Sequence, residues 1–563
     1  MNRILHTYNH LCFKPTIIWV ILLIGIIPVS KGQDNWEGTG EIEEAEIIIL
    51  KDRQIVLPNA SRIFQRVPAV TQPSGILGLS YSFEPIRFTP SALNTRVRPL
   101  TIRTEPLPAI KNNNIKLGYG NYTTPFLEVN LGNGRNDEYL YNFFVHHRSS
   151  AEGPVDGKNS GDSQSIVDFK GNVFLNKATL TGEVKYQRDG FTFYGYDSSL
   201  EPARDDIKQV LNQITVIGGI DNNLPENLAK YSIDGIFEYV QDLYSATEAD
   251  FGFNLFGRIP IKENYNLDII SDFHLITRND TLKPSFNRLF FRVKPYVNFK
   301  LDNLEIDFGL STVIEDDTLG DSKDFHVFPY LNINYDVSTN ARVYAGYHGD
   351  VDKKSLKDNL KINRFLAPNV DVFNTIRNFD FYAGLKGSFA SNWSYDLGME
   401  LTYYENKGYF VNSTGDSTRF DIVYDTGTGN SNHLYASLGY NLSNKIFFGV
   451  QEHHYFYNTD EVAEAWHLPG NRLNVLSTFN IGQKIKFNAD AYLLSGIIAQ
   501  SPSTGNSVSL ESIIDIDLGL EYLISNQASV FINGYNLLGN EYERFLNYPN
   551  RGLQLLAGLS YSF

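Results

Sequence analysis

The sequence predicts an all-β protein, a closed transmembrane antiparallel β-barrel of about 20 strands, with roughly 18 to 22 open. Three observations carry this. Aromatic residues make up 13% of the chain, with 34 Tyr and 38 Phe, yet the mean hydropathy is only −0.25. Apolar surface must therefore be dispersed by alternation rather than gathered into helical spans. Period-two segments follow one another from about residue 115 onward, and the last of them stops on an aromatic, Phe563.

At 563 residues the chain exceeds what one ordinary soluble core holds. The only long apolar run, Thr16 to Val29, is preceded by Arg3 and Lys14 and followed by Ser30-Lys31-Gly32. It reads as the apolar region of a signal peptide over residues 1–32, and it is short for a membrane helix of about 20 residues. The single cysteine, Cys12, precedes that run, which leaves the mature chain no disulfide framework and no thiol chemistry. The formal charge of −16 becomes −19 once Arg3, Lys14 and Lys31 are removed, which argues against nucleic acid as a partner.

Each strand is justified by its alternation. Ile485, Phe487, Ala489, Ala491 and Leu493 share one face against Lys486, Asn488, Asp490 and Tyr492. Tyr395, Leu397, Met399, Leu401 and Tyr403 repeat the pattern against Asp396, Gly398, Glu400 and Thr402. Ile514, Ile516, Leu518, Leu520 and Tyr522 oppose Asp515, Asp517, Gly519 and Glu521, and Leu289 through Leu301 alternate with Arg292, Lys294, Tyr296, Asn298 and Lys300. One face suits lipid and the other a wet interior. A soluble sandwich shares this period, so strand number, strand length and loop asymmetry decide.

Very short turns (Asp302-Asn303, Thr339-Asn340, Ser391-Asn392, Ser443-Asn444, Gly482-Gln483, Asn526-Gln527) alternate with long polar loops. Outer-membrane barrels show this asymmetry, with short periplasmic turns and long outer loops. The long loops are expected at 151–163, 195–229, 315–324, 350–377, 407–429, 458–470, 500–510 and 538–551. Residues 230–242 could belong to one long strand or form a separate crossing. Residues 33–96 are rich in proline and acid and read as an extended periplasmic or lumenal segment, with the barrel expected over 97–563 and its first strand near Val97 to Glu105.

Leu553, Leu555, Ala557, Leu559, Tyr561 and Phe563 fall on one face of the last strand. Leu559, Tyr561 and Phe563 resemble the C-terminal signal that outer-membrane barrels offer to their insertion machinery. The stretch Asn533-Gly534-Tyr535-Asn536-Leu537-Leu538-Gly539-Asn540-Glu541-Tyr542-Glu543, then Tyr548-Pro549-Asn550-Arg551-Gly552, resembles the closing hairpin of TonB-dependent receptors. Leu117-Gly118-Tyr119-Gly120-Asn121-Tyr122 is similar to that family's first barrel hairpins. The resemblance implies a transport barrel. It does not extend to the folded plug such receptors carry, because the segment before the first strand is short and proline-rich.

The expected partners are outer-membrane lipids, the insertion machinery, a surface lipoprotein or other outer-membrane proteins, and TonB. The candidate strand for a TonB-type partner is Glu46, Ile47, Ile48, Ile49 and Leu50, which could add to a sheet edge or simply pack as a barrel strand. Gly78 through Phe83 repeats Gly558 through Phe563, and coincidence accounts for it equally well. His146-His147 and His453-His454 cannot each chelate one ion, since neighbours on a strand point to opposite faces. The acidic run Glu315, Asp316, Asp317, Asp321 and Asp324 lacks the order of a calcium loop and reads as a solvated charge run. No nucleophile with its base, phosphate loop or zinc-protease motif appears, so neither catalysis nor a cofactor or metal is expected. Two functions remain open: a transport pore working with partner proteins, and a non-transporting structural or assembly subunit of an outer-membrane complex.

Overall fold

A computed structural model describes residues 111–563 apart from 198, 201, 223, 225–227, 284, 318–324, 444 and 483. The signal segment, the Glu46–Leu50 strand, the Gly78–Phe83 repeat and the strand expected over 97–105 lie outside the described residues.

Alternating outward and inward side chains force each segment into an extended, tilted strand, and short turns pair each strand with the next. The outcome is one closed antiparallel sheet of 22 strands. Strands run from seven residues (Asn114–Gly120) to sixteen (Thr247–Lys262, Phe286–Leu301). The ring closes where Asn114–Gly120 pairs with Gln554–Ser562, with Leu117 opposite Leu559 and Gly118 opposite Gly558. The Asn114 side chain clips that seam by donating to Ser560 and Ser562, each at 2.8 Å.

Every short turn read from the sequence lies between two strands. Asp302 and Gly482 take left-handed φ angles of 44° and 58°, which reverse the chain within a few residues. Two expectations are corrected. The loop expected over 195–229 contains the strand Lys208–Asn222, and Lys230–Gln241 is a separate crossing. Leu211 and Ile217 put apolar residues on the inner face and Gly218-Gly219 interrupts the period, which hid this strand. The alternation of loops and turns predicts a strand descending from near Tyr119, but Asn114–Gly120 rises to the outer end and the first descending strand is Thr124–Gly132.

The outer face is lipid-like. Phe308, Leu117, Val184 and Phe251 are all more than half exposed on it. At the turn end the aromatics form a girdle, with Tyr265 on Phe299 at 4.7 Å, Trp393 on Tyr440 at 4.7 Å, and Tyr561 on Phe563 at 5.8 Å between ring centres. Aromatic rings gather at this depth because their bodies are apolar and their tips tolerate water. Leu559, Tyr561 and Phe563 all lie on this lipid face.

Candidate functional site

The inner wall joins charges and tyrosines into a connected network. Arg292 bonds Asp272 at 2.6 Å and Asp350 at 3.0 Å, and Lys294 reaches the same Asp350 at 3.3 Å. Arg377 pairs with Asp352 and Asp380, Glu400 accepts from the His433 Nδ1–H at 3.1 Å, and His433 meets His453 at 2.9 Å. Of the inner-face charges seen in the sequence, Arg292 and Lys294 are thus matched by carboxylates, while Asp396 and Asp515 accept from the hydroxyls of Tyr344 and Tyr492. Tyr344 donates to Asp396 at 2.6 Å and lies against Gly384, where any Cβ would collide with its ring; Tyr435 lies on Gly398 in the same way. Glycine at these two positions lets bulky rings lie flat on the wall.

His453 is inside with His433, while His454 is outside against Phe456. His146 faces Glu128 and Phe126, and His147 bonds Ser165 on the other face. Neither pair chelates, and among the described residues no group of His, Cys, Asp and Glu is arranged to hold a metal.

Above this wall the outer loops fold into a cap. The sequence predicts polar loops at 195–229, 350–377, 407–429 and 538–551, and the segments found there between ring strands are 193–207, 353–374, 406–428 and 536–553. These contain their own elements: the helix Leu356–Ile362, the hairpin of Lys407–Asn412 with Phe420–Asp425, and the short pair Glu543–Phe545 with Tyr548–Pro549. Phe193, Tyr194, Phe365, Phe410, Phe420, Phe545 and Tyr548 are buried together in one apolar cluster. The fifth and fifteenth strands of the ring, which lead into loops 193–207 and 406–428, stand almost opposite each other, so these loops meet only by crossing the mouth. The missed signal was local: apolar pairs such as Phe193-Tyr194, Phe365-Leu366 and Phe410-Val411 inside otherwise polar loops.

Two side chains hold the crossing. Arg419 lies 4.7 Å from the Phe193 ring centre and 4.6 Å from that of Tyr244, donates to the Tyr244 hydroxyl at 3.1 Å, and pairs with Asp416. Tyr548 stacks on Phe365 at 3.7 Å, meets Tyr194 at 4.8 Å, and donates to the Thr418 carbonyl oxygen. A capping box of Ser355 and Asp358 starts the helix. Its Lys357 then reaches the opposite wall, donating to Glu238 at 2.5 Å and Thr215 at 2.7 Å.

The closing-hairpin motif ties the last loop down. Asn536, buried and left-handed at φ 48°, donates through its side chain to the Asn540 and Arg551 carbonyls, both at 2.8 Å. Arg551 bonds Asp162 at 2.7 Å, and Asp162 also pairs with Arg364.

Of the described members of the acidic run, Asp316 is exposed but the other two are not. Glu315 and Asp317 are buried; Asp317 pairs with Arg288 at 2.7 Å, and Arg288 also donates to Asn374 and the Lys354 carbonyl. A guanidinium under the loop converts the run into an anchor for residues 353–374. Asp321 and Asp324 lie outside the described residues.

Burial sets the charge states in the cap. Burial pulls His467 down to about 4; it bonds the Phe410 carbonyl through Nδ1 at 2.8 Å and accepts from the Leu546 N–H at 3.2 Å. Lys407 sits among Tyr404, Tyr457 and Tyr409, at 4.1, 5.3 and 5.8 Å, and burial followed by nearby Lys354 lowers it to about 8. Burial and neighbouring Arg472 bring Arg544 down to about 10. Beneath the cap a cavity of about 650 Å³ is lined by Gln164, Glu183, Lys185, Gln213, Lys357 and Arg544. It opens onto the polar lumen wall.

No protein-family profile and no curated protein sequence matches the chain. Solved structures do match it in fold. The siderophore receptor PirA from Acinetobacter baumannii aligns with a TM-score of 0.62 at 10% identity, over 80% of this chain and 80% of that one. The ferric-catecholate import receptor Fiu from K12 E. coli aligns at 0.60 and 10%, over 81% and 82%. FpvA of P. aeruginosa, solved with heterologous pyoverdines, aligns at 0.60 and 12%, over 80% and 71%. At such identities the likeness is one of fold. The chain has a closed 22-strand barrel like that of outer-membrane TonB-dependent receptors.

Proposed function

We propose that this protein is an outer-membrane transport pore, closed at its outer end by its own loops and working with partner proteins. The observation that carries this reading is a folded cap, assembled from loops on opposite sides of the ring, lying over a lumen wall of charges and tyrosines. A ring of 22 strands is wide enough for an aqueous lumen, and a polar wall suits water and polar solutes. The cap is then the gate. In this reading Glu46–Leu50 adds as a strand to a periplasmic partner of the TonB type, and the protein performs no catalysis.

The apolar character of the cap favours a second reading. Its core resembles a domain interior more than a lid that opens often, which suits a structural or assembly subunit with a permanently shut barrel. Planar-bilayer conductance of the wild type beside Arg419→Ala and Tyr548→Ala decides between them. A transport pore gives a quiet wild type and large conductance steps once the cross-mouth contacts are lost. Silence in all three proteins, with barrel folding intact, overturns transport and leaves the scaffold.

A further inference from the structure

Lipid-facing positions on the barrel are apolar or aromatic along nearly every strand, and the strand Ile446–Asn458 departs from that rule. Its outward positions read Phe448, Val450, Glu452, His454 and Phe456. Register fixes the face. Phe448 pairs with Tyr440 of the girdle, Val450 with Leu438, and His454 with Leu434, which is 48% exposed; the intervening His453 turns inward to His433.

Glu452 lies four residues from Phe448 below it and four from Phe456 above it. At about 3.3 Å per residue and a tilt of roughly 40°, it rises ~10 Å above the aromatic girdle, inside an apolar band about 25 Å tall. Its flanking partners across the sheet are Ala436 and Leu473. Among the described residues no ion pair or hydrogen bond reaches its carboxylate.

A carboxylate facing hydrocarbon without a partner is costly, and ionisable groups at membrane depth pair with something. The patch also offers room and bonds. Ala436 directly opposite Glu452 is small, as are Ala489 and Ala491 two strands away, and His454 on the same face bonds Asn471, while Val450 and Leu473 keep the rest of the patch apolar. Small residues let another wall approach closely, and polar ones give it bonds to make.

We infer that the outer face of this strand, centred on Glu452 and His454, is a lateral docking site within the membrane for a different membrane-spanning protein that presents a basic side chain at the level of Glu452. A second copy of this chain fits poorly. A two-fold axis along the membrane normal that paired this patch with itself would place Glu452 against Glu452 at equal height, and like charges in a medium of low dielectric repel strongly. Charge complementarity therefore selects a cation on another protein. The site is independent of whether the lumen conducts.

The test is site-specific photocrosslinking in native membranes, with a benzophenone side chain replacing Ala436 or Val475, and Phe308 on a distant strand as the control position. The expected result is a crosslink at 436 or 475, several-fold above the control, to one membrane-spanning segment carrying Lys or Arg. Glu452→Lys should lower that yield at least tenfold while heat-modifiable migration shows the barrel still folded. Changing the basic residue of the crosslinked segment to Glu in the Glu452→Lys background should restore it. Crosslinks to lipid only, to a second copy of this chain, or to a segment without a basic residue overturn the inference, as does a yield that ignores Glu452→Lys.

Discussion

Lowering the pH from 7.5 to 5 should loosen the cap through one side chain, His467. Its ring is 1% exposed, and the folded cap holds it neutral with a pKa of about 4, against 6.5 for a free histidine. The folded value lies below the unfolded one, so the stabilisation is complete above about pH 6.5 and declines as pH falls toward 4. The full span corresponds to about 3 kcal/mol. At pH 5 the free histidine is almost wholly protonated and the buried one is not, which gives a loss of about 2 kcal/mol, or roughly 30-fold in the opening equilibrium. The geometry explains why protonation is resisted: Nε2 already accepts the Leu546 N–H, so an added proton there would expel a bond that pins the last loop. Hydrogen exchange of peptides from loops 459–470 and 536–553, corrected for intrinsic rates, measures the opening directly. His467→Gln, which cannot titrate, should lose this pH dependence. If the wild-type loops exchange equally at both pH values, or His467→Gln keeps the full response, the assignment of the switch to this ring is wrong.

Tyr548→Ala removes the ring that joins loops 193–207, 353–374 and 536–553 and should destabilise the cap by about 3–5 kcal/mol; protease sensitivity should rise in those loops while heat-modifiable migration of the barrel is unchanged. Arg288→Met removes the guanidinium that bonds buried Asp317, Asn374 and the Lys354 carbonyl and should cost the 353–374 anchor about 3–5 kcal/mol, read as faster cleavage in that loop. Phe563→Ala should lower the yield of membrane-inserted, heat-modifiable barrel without weakening barrels once folded, since the Phe563 ring stacks on Tyr561 at the rim and its N–H bond to the Asn113 carbonyl is kept in the variant; equal insertion yield would remove the reading of Leu559, Tyr561 and Phe563 as an insertion signal.

Much of the barrel was legible because a strand in a membrane wall obeys a local rule. Its two faces meet lipid and lumen, so Trp393–Glu405 and Ile513–Leu523 declare themselves residue by residue. The rule failed at Lys208–Asn222, where Leu211 turns inward into the cap core rather than into water. The cap itself was not legible. Its residues come from loops more than 350 positions apart, such as Tyr194 and Tyr548, and each alone looks like a stray apolar side chain in a polar loop.

The same division holds for the charged groups. Sequence alone determined that neighbouring histidines such as His453 and His454 face opposite ways, because a strand's geometry allows nothing else. It also determined the all-β class, the turn and loop ends, and the outward aromatic face. Only the tertiary structure decided which inner-face charges pair, that Glu315 and Asp317 are buried anchors rather than a solvated run, and that Glu452 faces lipid with no partner among the described residues. Period and composition are properties of adjacent residues, whereas pairing, burial and closure depend on contacts between segments that the chain brings together only when the ring shuts.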